Sequence, residues 1–165
     1  MNKITENIIV TIVVILLQVL LFNNIQYFPL CTPYIYILAL LCLPVELPKW
    51  AEILICFAIG LLMDILCQTI GLHAAACTLV GYLKSYSIKW FVENVDRVQG
   101  IPSSISFASR PAYIKYASVL IVAHHTTILF LEAFTFNHFG WTLLHIIISS
   151  AITFALVITY DFTRY

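Results

Sequence analysis

Residues 50–91 have the sequence WAEILICFAIGLLMDILCQTIGLHAAACTLVGYLKSYSIKWF, in which a connection of four residues separates two long apolar segments. A helix of about 20 apolar residues is long enough to cross the roughly 30 Å hydrocarbon core of a bilayer. Helices joined by so short a connection pack as antiparallel neighbours, so we predict a hairpin of helices over about 50–67 and 72–91. This hairpin decides the fold class, which is an all-α integral membrane protein.

The composition of the whole chain agrees with this fold class. Hydrophobic residues make up 62% of the 165 residues and charged residues only 10%, whereas soluble domains have about half and about a quarter. The net charge is zero, which gives no reason to expect a nucleic-acid partner. We predict a single membrane domain over residues 1–165, with six transmembrane helices in the lipid bilayer. These are expected at about 6–22, 29–47, 50–67, 72–91, 113–134 and 141–160, with one long loop over 93–112.

All eight lysine and arginine residues fall on one side of the membrane in this six-helix topology. Lys3 precedes the first helix, Lys49 lies between the second and third, and Arg164 closes the sixth. Lysine and arginine near the ends of spans are retained on the cytoplasmic side, so both termini and the loop 93–112 are predicted to be cytoplasmic. The five cations around that loop are Lys84, Lys89, Arg97, Arg110 and Lys115.

The second segment has two interpretations because prolines bracket it. Pro29 and Pro33 open the segment and Pro44 and Pro48 close it, which leaves ten uninterrupted residues, or about 15 Å of helix. The segment is either a kinked span over 29–47 or a re-entrant hairpin. The six-span topology keeps all eight cations inside and the re-entrant topology keeps seven, which slightly favours the kinked span.

Few ionisable residues interrupt the apolar segments, and such residues are costly in a membrane unless they meet a partner, a cavity or a functional site. Gly60 and Asp64 are one turn apart, so a neighbouring helix could approach beside the carboxylate. His125 and Glu132 are close to two turns apart and fall on one stripe of the fifth helix. Asp64, His73 and Glu132 are predicted in the outer half of the bundle, and His124 and His125 near the middle of the fifth helix. The candidate residues are Gly60, Asp64, Gly71, His73, His124, His125 and Glu132.

Several kinds of chemistry can be weighed for these residues. The helices carry no His-x-x-x-His or Glu-x-x-His pair, so neither a metal nor another cofactor is expected. The sequence has no Gly-x-Ser-x-Gly turn, no His-Glu-x-x-His helix and no second aspartate to face Asp64, so an enzyme is not expected. A proton relay or a small-ligand pocket stays open beside a structural role, in which the polar groups hydrogen-bond one another and fix helix packing.

The loop 93–112 is the only long connection, and loops of this length are usually functional or mobile. One interpretation is a solvated linker with charges that fix the orientation of the protein. The other is a cytoplasmic docking surface, whose candidate residues are Arg97, Pro102, Ser103 and Arg110.

Several short motifs follow one another in a characteristic order. They are Gln18 to Phe22, Thr32-Pro33-Tyr34, Gly60 to Cys67, Gly71 to Ala76, Leu79 to Leu83, Ile101 to Ser104, His124 to Phe134 and His138-Phe139-Gly140. Their order and spacing resemble the rod shape-determining protein MreD family, in the form found in Bacteroidetes. The positions that match the central motif of the family are Gly60, Asp64, Gly71 and His73.

This resemblance implies a non-enzymatic, multi-pass scaffold of the bacterial inner membrane. Such a protein would act in the cell-elongation machinery of peptidoglycan synthesis, coupling MreC, the cytoskeletal MreB, RodA and a class B penicillin-binding protein by binding. The resemblance also implies a six-helix fold similar to the substrate-binding component of energy-coupling-factor transporters. The alternative function is therefore a small-molecule or lipid-binding transporter subunit with an outward-facing pocket. We expect small residues such as Gly60, Ala74 to Ala76 and Gly81 to admit a partner span.

Overall fold

A computed structural model describes residues 3–24, 31–92, 98, 100–103, 106–107, 109–133 and 139–164. Within this part of the chain the structure is all-helical and contains no strand. The helices are α1 (Lys3–Leu20), α2 (Ile37–Leu41), α3 (Lys49–Cys67), α4 (Leu72–Phe91), α5 (Arg110–Ala133) and α6 (Phe139–Arg164), with a 3₁₀ turn at Phe22–Asn24.

Three of these helices, α3, α5 and α6, are long and apolar enough to cross a membrane. Their outer faces carry large exposed apolar side chains, as does the outer face of α1, where Ile8, Ile12, Leu16 and Leu20 recur every four residues. A continuous exposed apolar face of this kind would be unfavourable in water. These features are those of a helical membrane protein.

α3 and α4 form the hairpin that the sequence predicts, and their bounds differ from the predicted ones by at most one residue. Pro48 precedes α3, and left-handed Gln68 and Gly71 shape the connection. The two helices approach closely at Gly81, where an added Cβ would lie 2.9 Å from Cys56 Sγ. The expectation that Gly81 and Gly60 admit a partner span is wrong, because α3 and α4 use both glycines to pack against each other.

The second segment differs from the predicted helix over 29–47. Only Ile37–Leu41 is helical, a length of about 7.5 Å, while 31–36 and 42–48 are turns and irregular chain. Pro33, Pro44 and Pro48 explain the short helix, because proline donates no backbone hydrogen bond and disfavours helical geometry in the residue before it. Residues 29 and 30 lie outside the described residues.

The second segment is nevertheless the centre of the protein, with residues 36–41 almost completely buried. Side chains of other elements satisfy its irregular backbone. Tyr34 N donates to Thr153 Oγ1 at 3.1 Å, and Ile35 N donates to Gln18 Oε1 at 2.8 Å. Near the other end, Tyr116 Oη donates to the carbonyl oxygen of Leu41 at 3.2 Å. Non-helical backbone is tolerated at membrane depth only where protein surrounds it in this way.

The contacts with α1 show the direction in which the second segment runs. Gln18 Nε2 donates to the carbonyl oxygen of Pro33, whereas Asn7 Nδ2 donates to that of Cys42. The segment is therefore antiparallel to α1, and the two contacts are separated by about 16 Å along that helix. We call the two ends of the bundle the Asp64 end, where α3 passes into α4, and the Lys84 end, opposite to it.

Candidate functional site

Asp64 lies at the end of α3 and caps the start of α4. Its Oδ1 accepts hydrogen bonds from His73 N at 3.0 Å and from the Thr69 hydroxyl, and its Oδ2 accepts one from Ala74 N at 2.9 Å. The first N–H groups of a helix have no partner within that helix, and the positive end of its dipole favours a carboxylate. The buried Asp64 side chain therefore joins the two helices.

Gly60 and Gly71 complete this joint. A Cβ at Gly60 would lie 2.6 Å from both Ala74 Cα and the His73 carbonyl oxygen, so a larger residue would push α4 away. Gly71 has a φ of +75° immediately before α4, a conformation that glycine adopts at no steric cost. We call Gly60, Asp64, Gly71 and the backbone of His73 the hairpin joint. These residues join α3 to the start of α4.

The His73 side chain points into the bundle and meets a tyrosine that connects two histidines. Tyr36 Oη lies 2.8 Å from His73 Nδ1 and 2.7 Å from His124 Nε2. All three side chains are buried. A tyrosine hydroxyl has one proton, so it donates to one of two neutral imidazoles and accepts from the other. The two histidines must therefore adopt complementary tautomers.

The other ring nitrogen of His124 favours one of the two arrangements. His124 Nδ1 is buried and has no hydrogen-bond partner among the described residues. Either tautomer leaves this nitrogen without a hydrogen bond, at a cost of about 1–3 kcal/mol, but an unbonded buried N–H is less tolerated in proteins than an unbonded acceptor. The preferred arrangement therefore protonates His124 Nε2, which donates to Tyr36, and Tyr36 in turn donates to His73 Nδ1.

His125 faces a different neighbour and links α5 to α6. Its Nδ1 bonds the carbonyl oxygen of Ile121 at 2.9 Å, and its Nε2 lies 3.1 Å from Thr153 Oγ1. Tyr34 packs between the histidines, with its ring centre 5.5 Å from that of His73, 5.6 Å from that of His124 and 5.2 Å from that of His125. We call Tyr34, Tyr36, His73, His124 and His125 the aromatic cluster.

The candidate residues thus divide into two connected groups. Gly60, Asp64 and Gly71 belong to the hairpin joint, while His124 and His125 belong to the aromatic cluster, and His73 contributes to both. Glu132 has an exposed side chain, which is close enough to Tyr34 of the aromatic cluster for an electrostatic interaction. The stripe of α5 that carries both residues is therefore buried at His125 and exposed at Glu132.

Neither tyrosine of the aromatic cluster was a candidate site residue, although Tyr34 belongs to the motif Thr32-Pro33-Tyr34. Tyrosine in an apolar segment is usual in a core or at a membrane interface, so Tyr34 and Tyr36 carried no signal by themselves. A physical clue is their position in a segment bracketed by Pro33 and Pro44, where tertiary contacts have to replace regular helical hydrogen bonds.

A buried ion pair at the Lys84 end was also missed. Lys84 Nζ lies 2.9 Å from Glu52 Oε1, with both side chains almost completely inaccessible, and it donates to the Leu43 carbonyl oxygen at 2.6 Å. Ser85 Oγ donates to the second carboxylate oxygen of Glu52 at 3.1 Å. From the sequence, Lys84 is one of the five cations around loop 93–112, but the structure places its side chain inside the protein. The sequence did contain a signal for this pair. Glu52 on α3 and Lys84 on α4 both lie far from the turn that joins the two helices, so they fall at the same end of the hairpin.

The described part of loop 93–112 folds against the Lys84 end. Pro102 and Ser103 are buried, and Ser103 and Ser106 hydrogen-bond each other's backbone N–H groups through their hydroxyls. Arg110 is exposed, with its guanidinium 5.2 Å from the centre of the Phe162 ring. Arg97 lies outside the described residues. Docking through the described part of the loop would therefore use Arg110 rather than Pro102 or Ser103.

Within the described ranges, no group of three or more His, Cys, Asp or Glu side chains could hold a metal ion. The geometry of the hairpin joint and the aromatic cluster is that of polar contacts which tie α3, α4, α5, α6 and the second segment together. No family model, curated protein or solved structure matches the chain.

Proposed function

We propose that the chain is a multi-pass inner-membrane scaffold of the MreD type, which acts by binding in the cell-elongation machinery. In this proposal it crosses the membrane six times, with a fold like that of the substrate-binding component of energy-coupling-factor transporters. The antiparallel course of the second segment beside α1 supports six crossings, since the segment passes from the Asp64 end toward the Lys84 end.

The distribution of cations supports a cytoplasmic location for the Lys84 end and for both termini. Arg110 and Lys115 lie in the first turns of α5, Lys89 in the last turn of α4, Lys49 in the first turn of α3, and Arg164 at the end of α6. All of these helix ends are at the Lys84 end of the bundle. Lysine and arginine at one set of helix ends favour that side as the cytoplasmic side.

A role in binding, rather than in chemistry, is supported by the way in which the buried polar residues are used. The Asp64 carboxylate is bonded to the start of α4, and Glu52 is neutralised by Lys84. The histidines of the aromatic cluster are bonded to Tyr36 and Thr153. These groups stabilise the bundle, which leaves its outer surface as the place where function would be exerted.

The main support for the proposal is one groove on that surface. A cavity of about 270 Å³ lies between α5 and α6 and opens on their outer faces; its walls are almost entirely apolar. The buried hydroxyl of Ser150 has no hydrogen-bond partner among the described residues. The lining residues are Ser118, Ile121, Val122, Ile146, Ile147, Ser150, Ala151 and Phe154.

A single transmembrane helix fits the chemistry of this groove. Small residues such as Ser118, Ser150 and Ala151 allow another helix to approach closely, and a serine hydroxyl can bond across helices for about 0.6–2 kcal/mol. In the elongation machinery this occupant would be the membrane span of MreC, through which MreB, RodA and a class B penicillin-binding protein would be coupled.

The alternative is a transporter subunit that binds a small molecule or lipid at the Asp64 end. Its specific support is His124 Nδ1, which is unpartnered among the described residues and could accept a hydrogen bond from a ligand. The scaffold is favoured because the rings of Tyr34 and Tyr36 already pack against His124 at 5.6 and 5.2 Å.

Co-purification with MreC tests the scaffold proposal. Ala151→Phe would fill the groove and is expected to reduce the amount of MreC recovered from detergent-solubilised membranes at least tenfold. Ala58→Phe is the matched control, because Ala58 is an exposed alanine on the lipid-facing side of α3. Equal recovery of MreC with both variants would contradict the proposed groove. Loss of a retained small ligand on His124→Phe, with MreC recovery unchanged, would favour the transporter subunit.

A further inference from the structure

A second cavity, of about 380 Å³, lies at the Lys84 end where α4 ends and α5 begins. Its volume is within the range of about 300–1,000 Å³ that is usual for ligand sites. Two lysines and a serine line it beside apolar side chains, in contrast to the groove between α5 and α6. The lining residues are Lys89, Trp90, Phe91, Val92, Ser109, Pro111, Ala112 and Lys115.

Two lysines from different helices give this cavity its charge. Lys89 comes from the last turn of α4 and Lys115 from the second turn of α5, and both are exposed. Among the described residues neither ammonium group takes part in an ion pair. The N-terminus of α5 forms part of the wall, so the helix dipole adds to the positive potential.

The other cations at this end whose side chains the structure describes have partners within the protein, as Arg164 has in the Tyr160 hydroxyl. Lys84 is paired with Glu52, and the ammonium group of Lys49 lies 4.4 Å from the centre of the Tyr86 ring. The guanidinium of Arg110 packs over Phe162. Among the described residues, Lys89 and Lys115 are therefore the two cations that line the cavity without such a partner.

Trp90 indicates the depth of the cavity in the bilayer. Its side chain is 62% exposed, and tryptophan is enriched at the level of the lipid headgroups, where the ring meets both apolar chains and water. Phe91, Val92 and Pro111 provide an apolar wall beside the two lysines. A ligand that fits this site has an anionic head at the membrane surface and an apolar part that remains in the bilayer.

We propose that this cleft between α4 and α5 binds the phosphate headgroup of an anionic phospholipid, held by Lys89 and Lys115. Basic pockets between transmembrane helices on the cytoplasmic side bind anionic headgroups in this way. The lipid would occupy a defined position on the protein beside α4 and α5. The site requires insertion in a membrane, but it does not depend on the scaffold function or on the groove between α5 and α6.

Lipid binding by the purified full-length chain tests this site. The protein in mild detergent is titrated with phosphatidylglycerol or with phosphatidylcholine, and bound lipid is counted by native mass spectrometry. We expect phosphatidylglycerol to bind at least tenfold more tightly. Lys89→Gln and Lys115→Gln should each weaken its binding about fivefold, and together about thirtyfold, the size expected for basic side chains near an anionic surface.

Lys49→Gln is the matched control, because it removes an exposed cation at the same end that does not line the cavity. It should change the affinity less than twofold, and circular dichroism should show that all variants remain helical. Equal binding of both lipids, or equal losses from Lys49→Gln and Lys89→Gln, would overturn the proposal. Inorganic phosphate is added as a competitor. Displacement of the lipid at millimolar phosphate would instead identify a site for free phosphate and overturn lipid binding.

Discussion

Replacing Lys84 by methionine should destabilise the protein strongly, because Lys84 belongs to a buried ion pair. The ammonium group is fully buried and lies 2.9 Å from Glu52 Oε1, so Lys84→Met leaves a buried carboxylate without its counter-charge. Breaking a buried ion pair by removing one partner costs about 3–5 kcal/mol. The lost hydrogen bond to the Leu43 carbonyl oxygen adds about 1 kcal/mol. We expect the free energy of unfolding to fall by about 4–6 kcal/mol.

A double-mutant cycle separates the ion pair from the loss of side-chain volume. Lys84→Met with Glu52→Met removes both charges and keeps the volume, and such replacements of a buried pair are often neutral. The double variant should therefore regain about 3–5 kcal/mol relative to Lys84→Met alone, which is the cost of the broken pair. Lys89→Met is the control for removing a lysine from α4, and since Lys89 is exposed it should change stability by less than about 0.5 kcal/mol.

Equilibrium unfolding in mixed micelles of a mild detergent and sodium dodecyl sulfate, followed by circular dichroism, measures these differences. A cost below about 1 kcal/mol for Lys84→Met would refute the buried pair. Additive costs of the Lys84→Met and Glu52→Met changes in the double variant would refute the coupling between them.

Three further changes probe the hairpin joint and the aromatic cluster by the same unfolding measurement. Gly60→Ala places a Cβ within 2.6 Å of the α4 backbone and should lower the free energy of unfolding by about 1–3 kcal/mol. Gly140→Ala is the control, because its Cβ would meet nothing within 4 Å, and it should be neutral or stabilising. Asp64→Ala leaves buried N–H groups of α4 unsatisfied and should cost about 2 kcal/mol; a cost no larger than that of Asp64→Asn would contradict the capping role. Tyr36→Phe should cost about 1–3 kcal/mol through the lost contacts with two histidines, and an unchanged stability would show that this hydroxyl is not bonded as described.

The hairpin of α3 and α4 could be predicted from the sequence because its signals are local. Two long apolar segments and a connection of four residues with Gly71 at its end define both helices to within one residue. The one-turn spacing of Gly60 and Asp64 also indicated a face on which a second helix approaches. The sequence alone could not show that this second helix is α4 of the same chain rather than a partner span.

The second segment could not be predicted in the same way, because tertiary contacts determine it. Its prolines indicated a kink, but the length of α2 depends on side chains distant in sequence, such as Gln18 and Thr153, that replace helical hydrogen bonds. The same holds for Lys84, whose burial depends on a single carboxylate on another helix. Propensity and periodicity do not contain this information, since they describe one element at a time.

Crosslinking in intact cells tests the central claim, that the outer surface between α5 and α6 holds the membrane span of a partner. A photoreactive amino acid replaces Ala151 in the groove or, as the control, exposed Ala58 on α3. The proposed function predicts a crosslink from position 151 to the single span of MreC and little or none from position 58. Equal crosslinking from both positions, or none from position 151 while MreC is present, would contradict it.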